Sequence, residues 1–267
     1  MNWKKNLTLL FLFFVIGMAI FGQYLNLEYR TVIASTQKGE ALFTREILEE
    51  YGTQIIAHLN DNDVEMAIVS RSGQPRKKLP EGISFTHSAF WLRNGESYDV
   101  YNLYHGEDNR LISSLVTDTA ADFLRLTRES DVGILLPKPD VQIALTTHIK
   151  SANYSRVHRV NYSLISNPLD TRFQNCNEFM LDVLAAFAWG EYDANAIKKR
   201  LAKDFRPTEI KAGFIRRHVA PFVDERLVMA DHGKQIYTTT RLDLQEFLES
   251  QNMLDKAYVL TLNSTTN

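Results

Sequence analysis

The chain has 267 residues, 45% of them hydrophobic, 11% aromatic and 23% charged. That length suits one large domain or two small ones, and that composition excludes a wholly disordered, collagen-like or coiled-coil protein. Thirty basic against 32 acidic residues leave a net charge of −2, which argues against nucleic acid as a partner because phosphate contacts need a basic surplus. A single cysteine, Cys176, excludes an intramolecular disulfide.

At the N-terminus Lys4 and Lys5 precede an apolar run over residues 7–22 that only Thr8 interrupts. Helical, such a run spans about 24 Å, short of a hydrocarbon core of about 30 Å. Residues 1–22 therefore read as an export signal, and the lack of a clean A-x-A cleavage site leaves an uncleaved membrane anchor open. Both readings place the remainder outside the cytoplasm, periplasmic or secreted. The membrane enters only through this segment.

Apolar spacing predicts a helix over 42–59, followed by a short strand over 64–69. Two aromatic-rich strands, 83–93 and 97–104, flank Asn94-Gly95, a strong hairpin signal. A strand over 111–116 leads to Asp118 or Thr119, either of which can cap a helix running to Leu126. Beyond it come a strand over 131–137, a helix over 141–149 and a strand over 159–164. Helices over 175–188 and 193–204 follow, then a tail of short strands around a helix over 242–251. Strands and helices mixed without βαβ regularity predict an α+β domain over 30–206, with 207–267 as a C-terminal elaboration of the same domain.

No phosphate-loop, dinucleotide-binding, zincin or nucleophile-elbow motif is present, and no cofactor or metal is expected. Four Asn-x-Ser/Thr sequons, at Asn6, Asn153, Asn161 and Asn263, read as chance matches in a chain rich in these residues.

One segment carries chemistry. Asn175 can cap a helix with Glu178 completing a capping box, which puts Cys176 in the first turn. There the helix dipole and free N–H groups favour thiolate over thiol. Cys176, Met180, Val183, Leu184 and Phe187 share one helical face, so the thiol points toward the sheet; the plain alternative is an inert core cysteine. A base is offered by His87, which alternates with Phe85, Ala89 and Trp91 on one strand face. A two-residue turn at Asn94-Gly95 would pair Trp91 with Tyr98, Ala89 with Val100 and His87 with Asn102. The three residues make a Cys–His–Asn arrangement in which Cys176 attacks a carbonyl, His87 takes the thiol proton and Asn102 orients the ring. Gln174 and the Cys176 N–H are oxyanion-donor candidates, with a structural glutamine contact equally open. His105 is a reserve base, while His148, His158, His218 and His232 read as surface residues.

Histidine on a strand before cysteine at a helix start resembles the circularly permuted, NlpC-like branch of the papain-like superfamily, in which thiol amidases, lipases and acyltransferases occur. The run Asn175-Cys176-Asn177-Glu178-Phe179 is similar to the Asn-Cys-Glu-His-Phe motif of lecithin:retinol acyltransferase relatives, with Glu178 where their histidine stands. A tighter resemblance, over residues 64–188, is to the exported bacterial family labelled domain of unknown function 2145. It runs through Ala67-Ile-Val-Ser-Arg-Ser-Gly-Gln, Thr86-His87-Ser88-Ala89, Gly133-Ile-Leu-Leu-Pro-Lys-Pro and Thr171-Arg-Phe-Gln-Asn-Cys-Asn-Glu. The resemblance implies an antiparallel papain-like sheet packed against helices, with Cys176 and His87 as its pair. Two functions follow as expectations: a thiol hydrolase or acyl-transfer enzyme of the bacterial envelope acting on an amide or ester, or a silent papain-like binding module of the periplasm. The substrate or ligand is a small molecule, a peptide or cell-wall material.

Overall fold

The computed structural model describes residues 40–211 and 224–264; the expected export segment and His218 lie outside them. Thr44 accepts from the Ile47 N–H and opens α1, Arg45–Asp61. Strand β1, Met66–Arg71, is buried at every position and lies mid-sheet, hence its continuous apolar run. The hairpin β2, His87–Asn94, and β3, Ser97–His105, lies beside it. Then come β4, Ser113–Asp118, and the short α2, Ala120–Leu124, capped by Thr119. Strand β5, Asp131–Pro137, runs into α3, Pro139–Ile149, and one turn of helix, α4, Asn153–Arg156.

The second half opens with α5, Cys176–Trp189, which ends at Gly190 in the left-handed region at φ +64°, where a side chain would be strained. Helix α6, Ala194–Asp204, is capped by Asp193. Two short strands, β6, Thr208–Glu209, and β7, Tyr237–Thr238, pair with each other. The Thr240/Asp243 capping box starts α7, Arg241–Ser250, and β8, Leu254–Thr261, closes the fold.

Six strands form one antiparallel sheet in the order β4-β3-β2-β1-β5-β8. The molecule is α+β. Because side chains alternate across a strand, β1 and β2 supply two cores. Ala67, Val69, Ala89 and Trp91 pack with α1 and α2 on one face, while Met66, Ile68, Phe90 and Leu92 pack with α5 and its neighbours on the other. The C-terminal strand pairs with β5 from Asp131↔Thr261 to Pro137↔Leu254, so the tail supplies a sheet edge.

Several expectations need correction. Residues 159–164 form no strand; they make only isolated bridges, Ile112↔Asn161 and Tyr162↔Gln174, because the segment crosses the end of β4 and Arg159 turns inward to meet carboxylates. The hairpin turn sits one residue later. Asn94 pairs with Ser97, Arg93 with Tyr98 and Trp91 with Val100, leaving Gly95-Glu96 as the two-residue loop. Gly95 takes φ +62° there, the glycine position of a type II′ turn, and the Asn94 amide donates to Asp99. Nor are His148, His158 and His232 plain surface residues; the His232 side chain is buried beside Asp231. His148 is buried and stacks on Tyr192, while His158 is half-buried and meets the Ser113 hydroxyl at 3.0 Å.

Candidate functional site

Helix α5 starts where it does because Asn175 is extended at φ −109°, ψ 179° and its Oδ1 accepts from the Glu178 N–H at 2.9 Å. Its Nδ2 donates to the Leu164 carbonyl and the Thr238 hydroxyl, tying the helix start to β7. The reciprocal half of the expected capping box is missing, because the Glu178 carboxylate is drawn away to Lys198 and Arg159. Cys176 thus occupies the first helical position, 3% exposed. It lines a cleft of about 700 Å³ whose walls include Leu79, Ile83, Phe85, Ile165, Leu227 and Ile236, with Thr86, Asn175, Asn177 and Thr239 also lining it. Asn177 Oδ1 and Thr239 Oγ1, both on lining residues, are buried without a hydrogen-bond partner.

The thiol donates to the Thr86 carbonyl at 3.8 Å, the oxygen of the peptide that leads into His87. The imidazole itself projects onto the face of Ala89 and Trp91. It is fully buried, stacked on Tyr104 at 5.1 Å and tilted against Phe123 at 5.6 Å. Its Nε2 meets Asn102 Oδ1 at 3.1 Å, while its Nδ1 is buried and has no hydrogen-bond partner. The structure therefore brings His87 and Asn102 into contact, as diagonal rather than directly opposed residues. The thiol meets the strand backbone at the Thr86 carbonyl, one residue before His87.

A larger polar network surrounds the ring. The Asn102 amide donates to Asp118 Oδ2 at 3.1 Å and to the Val100 carbonyl at 3.2 Å, and Tyr104 OH donates to the same Asp118 oxygen at 2.7 Å. Arg71, which pairs with His87 across β1 and β2, is fully buried with its guanidinium 5.5 Å from the Phe123 ring centroid. It hydrogen-bonds Tyr104, and burial lowers its pKa from the ordinary guanidinium value, partly offset by Tyr104, the Cys176 sulfur and Asp118. Burial, then the Arg71 charge, hold His87 well below the ordinary imidazole range, against the opposing Asn102 bond. These effects disfavour a protonated His87, and Arg71 is a cation whose charge couples to the Cys176 sulfur.

Gln174 is not an oxyanion donor. It is buried, its Oε1 accepts from the Arg159 N–H at 2.8 Å, and its Nε2 donates to the Val157 carbonyl at 3.0 Å and Asp182 Oδ2 at 2.7 Å. Both amide protons are spent, on the side of α5 away from the cleft. The reserve base His105 is likewise engaged: Nδ1 meets the Gly106 carbonyl at 2.7 Å and Nε2 meets Arg226 at 2.8 Å. Burial, then Arg226, push its pKa down to about 4. Among the described residues no group of histidine, cysteine and carboxylate side chains could hold a metal, and no helix is long and apolar enough to cross a membrane.

A model of the bacterial family described as "Uncharacterized protein conserved in bacteria (DUF2145)" matches residues 58–248. The chain belongs to this DUF2145 family. No curated protein and no solved structure matches. The DUF2145 match spans Arg71, His87, Asn102, Asp118 and Cys176, so the whole candidate site lies within the family's domain, whereas all but the last four residues of α1 and all of β8 fall outside it. Of the residues around the ring, Arg71, Tyr104 and Asp118 escaped the sequence. Alternation along β3 places Tyr104 on the face of Asn102, a signal that was available. Nothing local marks Asp118 as more than a helix cap.

Proposed function

We propose that this protein is an exported thiol hydrolase or acyl-transfer enzyme of the bacterial envelope, with a circularly permuted papain-like arrangement in which Cys176 attacks an amide or ester carbonyl. One observation carries the reading. His87 is pinned through Nε2 by Asn102, and its Nδ1 lone pair is buried with no partner beside the peptide that the thiol already touches. A buried ring nitrogen without a partner is costly in a core, and a proton acceptor kept for a reaction accounts for it.

In the reaction Sγ exchanges the Thr86 carbonyl for His87 Nδ1, gives it the thiol proton, and bonds to the substrate carbonyl carbon. Collapse expels the amine or alcohol, which leaves with that proton, and water or an acceptor then releases the acyl group. Arg71 stabilises the sulfur as charge develops, and the first-turn N–H groups of α5 face the oxyanion. The apolar walls of the cleft favour an apolar acyl portion. Incubation with p-nitrophenyl esters tests this. A mass increase equal to the acyl group at Cys176, lost in His87→Ala, supports the enzyme.

The thiol's donation to a backbone carbonyl favours a second reading, a papain-like binding module whose cysteine is structural. In that case no ester acylates Cys176 in the folded protein.

A further inference from the structure

The Asn102 amide has a determined orientation. Its Nδ2 lies against the Asp118 carboxylate at 3.1 Å and the Val100 carbonyl at 3.2 Å, and a carboxylate and a carbonyl only accept. The reversed amide would set its oxygen against both. With Nδ2 spent there, Oδ1 faces the imidazole, and because Oδ1 only accepts, Nε2 of His87 must carry the proton. The second ring nitrogen, Nδ1, then holds the lone pair.

We propose that Asp118 is the positioning residue of the site: by holding the Asn102 amide it fixes His87 in the tautomer protonated at Nε2 and leaves Nδ1 as the proton acceptor. This rests on the reading of His87 as the base, and it adds a residue two steps removed from the thiol. The fold makes the arrangement rigid. Asp118 is the last residue of β4, directly opposite Val100 of β3. Its Oδ2 also receives the Tyr104 hydroxyl, whose ring stacks on His87. Arg71 is electrostatically coupled to the same carboxylate. Asp118 therefore grips both the amide that meets the edge of the ring and the phenol that lies on its face.

The test is side-chain nitrogen NMR of His87, with Cys176 alkylation by iodoacetamide as a second readout. In the unaltered protein His87 should show a protonated Nε2 and a bare Nδ1; a proton on Nδ1 overturns the proposal, with no variant needed. In Asp118→Ala the Asn102 amide loses its stronger acceptor, so the Nδ1–H tautomer should appear, while Asp118→Asn, which keeps an accepting oxygen, should retain the native one. A ring unchanged in a folded Asp118→Ala protein also overturns it. Alkylation separates the two claims. A tautomer that switches with a fall in alkylation rate of about tenfold or more supports positioning and base together; a switch with an unchanged rate keeps the positioning role and removes His87 from the chemistry.

Discussion

Two buried polar networks lie on opposite faces of the sheet, and they differ in what holds them: ion pairs on the α5 side, hydrogen bonds on the side of α1 and α2. Behind the helix, Glu178 and Asp182 share Lys198 at 2.7 Å each and Arg159 at 2.5 and 2.8 Å, with Gln174 bonded to the same Asp182. Each carboxylate of that cluster meets both cations, while Glu178 Oε2 and Arg159 Nε are buried without a hydrogen-bond partner. At the end of the sheet the His87–Asn102–Asp118–Tyr104 network is as deeply buried, and the terminal nitrogen of its chain has no partner. The ion cluster ties α5 to α6 by charge, whereas the hydrogen-bonded chain ends on a ring nitrogen that can accept a proton. The motif Gln174-Asn-Cys-Asn-Glu is divided between them. Its outer residues belong to the ion cluster, and Cys176 faces the cleft.

The largest expected effect breaks the ion cluster. Lys198→Ala leaves two buried carboxylates with one cation and should cost about 3–5 kcal/mol, seen as a lower melting temperature and denaturant midpoint. Burial, only partly offset by Lys198 and Arg159, pushes Glu178 up to about 7, while for Asp182 the two cations outweigh burial and lower it. Glu178→Gln should accordingly cost much less than Lys198→Ala.

Acid comes next. His105 titrates at about 4 in the folded chain and near 6.5 unfolded, so the unfolded chain binds more protons between those values. The stability it contributes is complete above about 6.5 and lost as pH falls toward 4, of order 3 kcal/mol. His87, also depressed, acts with the same sign. Glu178 acts oppositely, losing stability as pH rises from about 4.5 to about 7. Urea unfolding at pH 7.5 and 4.5 should show the acid loss, His105→Gln should flatten it and Glu178→Gln should steepen it.

How much of this was legible in the sequence follows from the range of the forces involved. The cap at Asn175, the helix after it and the strand over 131–137 depend on neighbours within a few residues, and there pattern and structure agree. The shared face of His87 and Asn102 survived a misplaced turn because the slip displaced the pairing by two residues, which preserves the alternation of the strand. Gln174 was ambiguous for the opposite reason: its partners Val157, Arg159 and Asp182 are far enough along the chain that no local pattern announces them. Arg71 closes an apolar strand, and only the packing of Phe123 and Tyr104 shows that its charge is buried.

A smaller effect sharpens the contrast at the helix start. Asn175→Ala removes the cap and should cost about 1 kcal/mol, with a further loss from its bonds to Leu164 and Thr238. Measured by thermal melting, the change should stay well below that of Lys198→Ala.

The most direct measurement is the pH dependence of Cys176 alkylation in the folded protein and in His87→Ala. Cys176 should react without unfolding, with an inflection below the free-thiol value of about 8.5 set by Arg71 and the helix start, and its rate should fall when His87 is removed. A thiol that stays inert until the fold melts, or that reacts identically with and without His87, would contradict the thiol-enzyme reading and leave Cys176 as packing beneath a binding cleft.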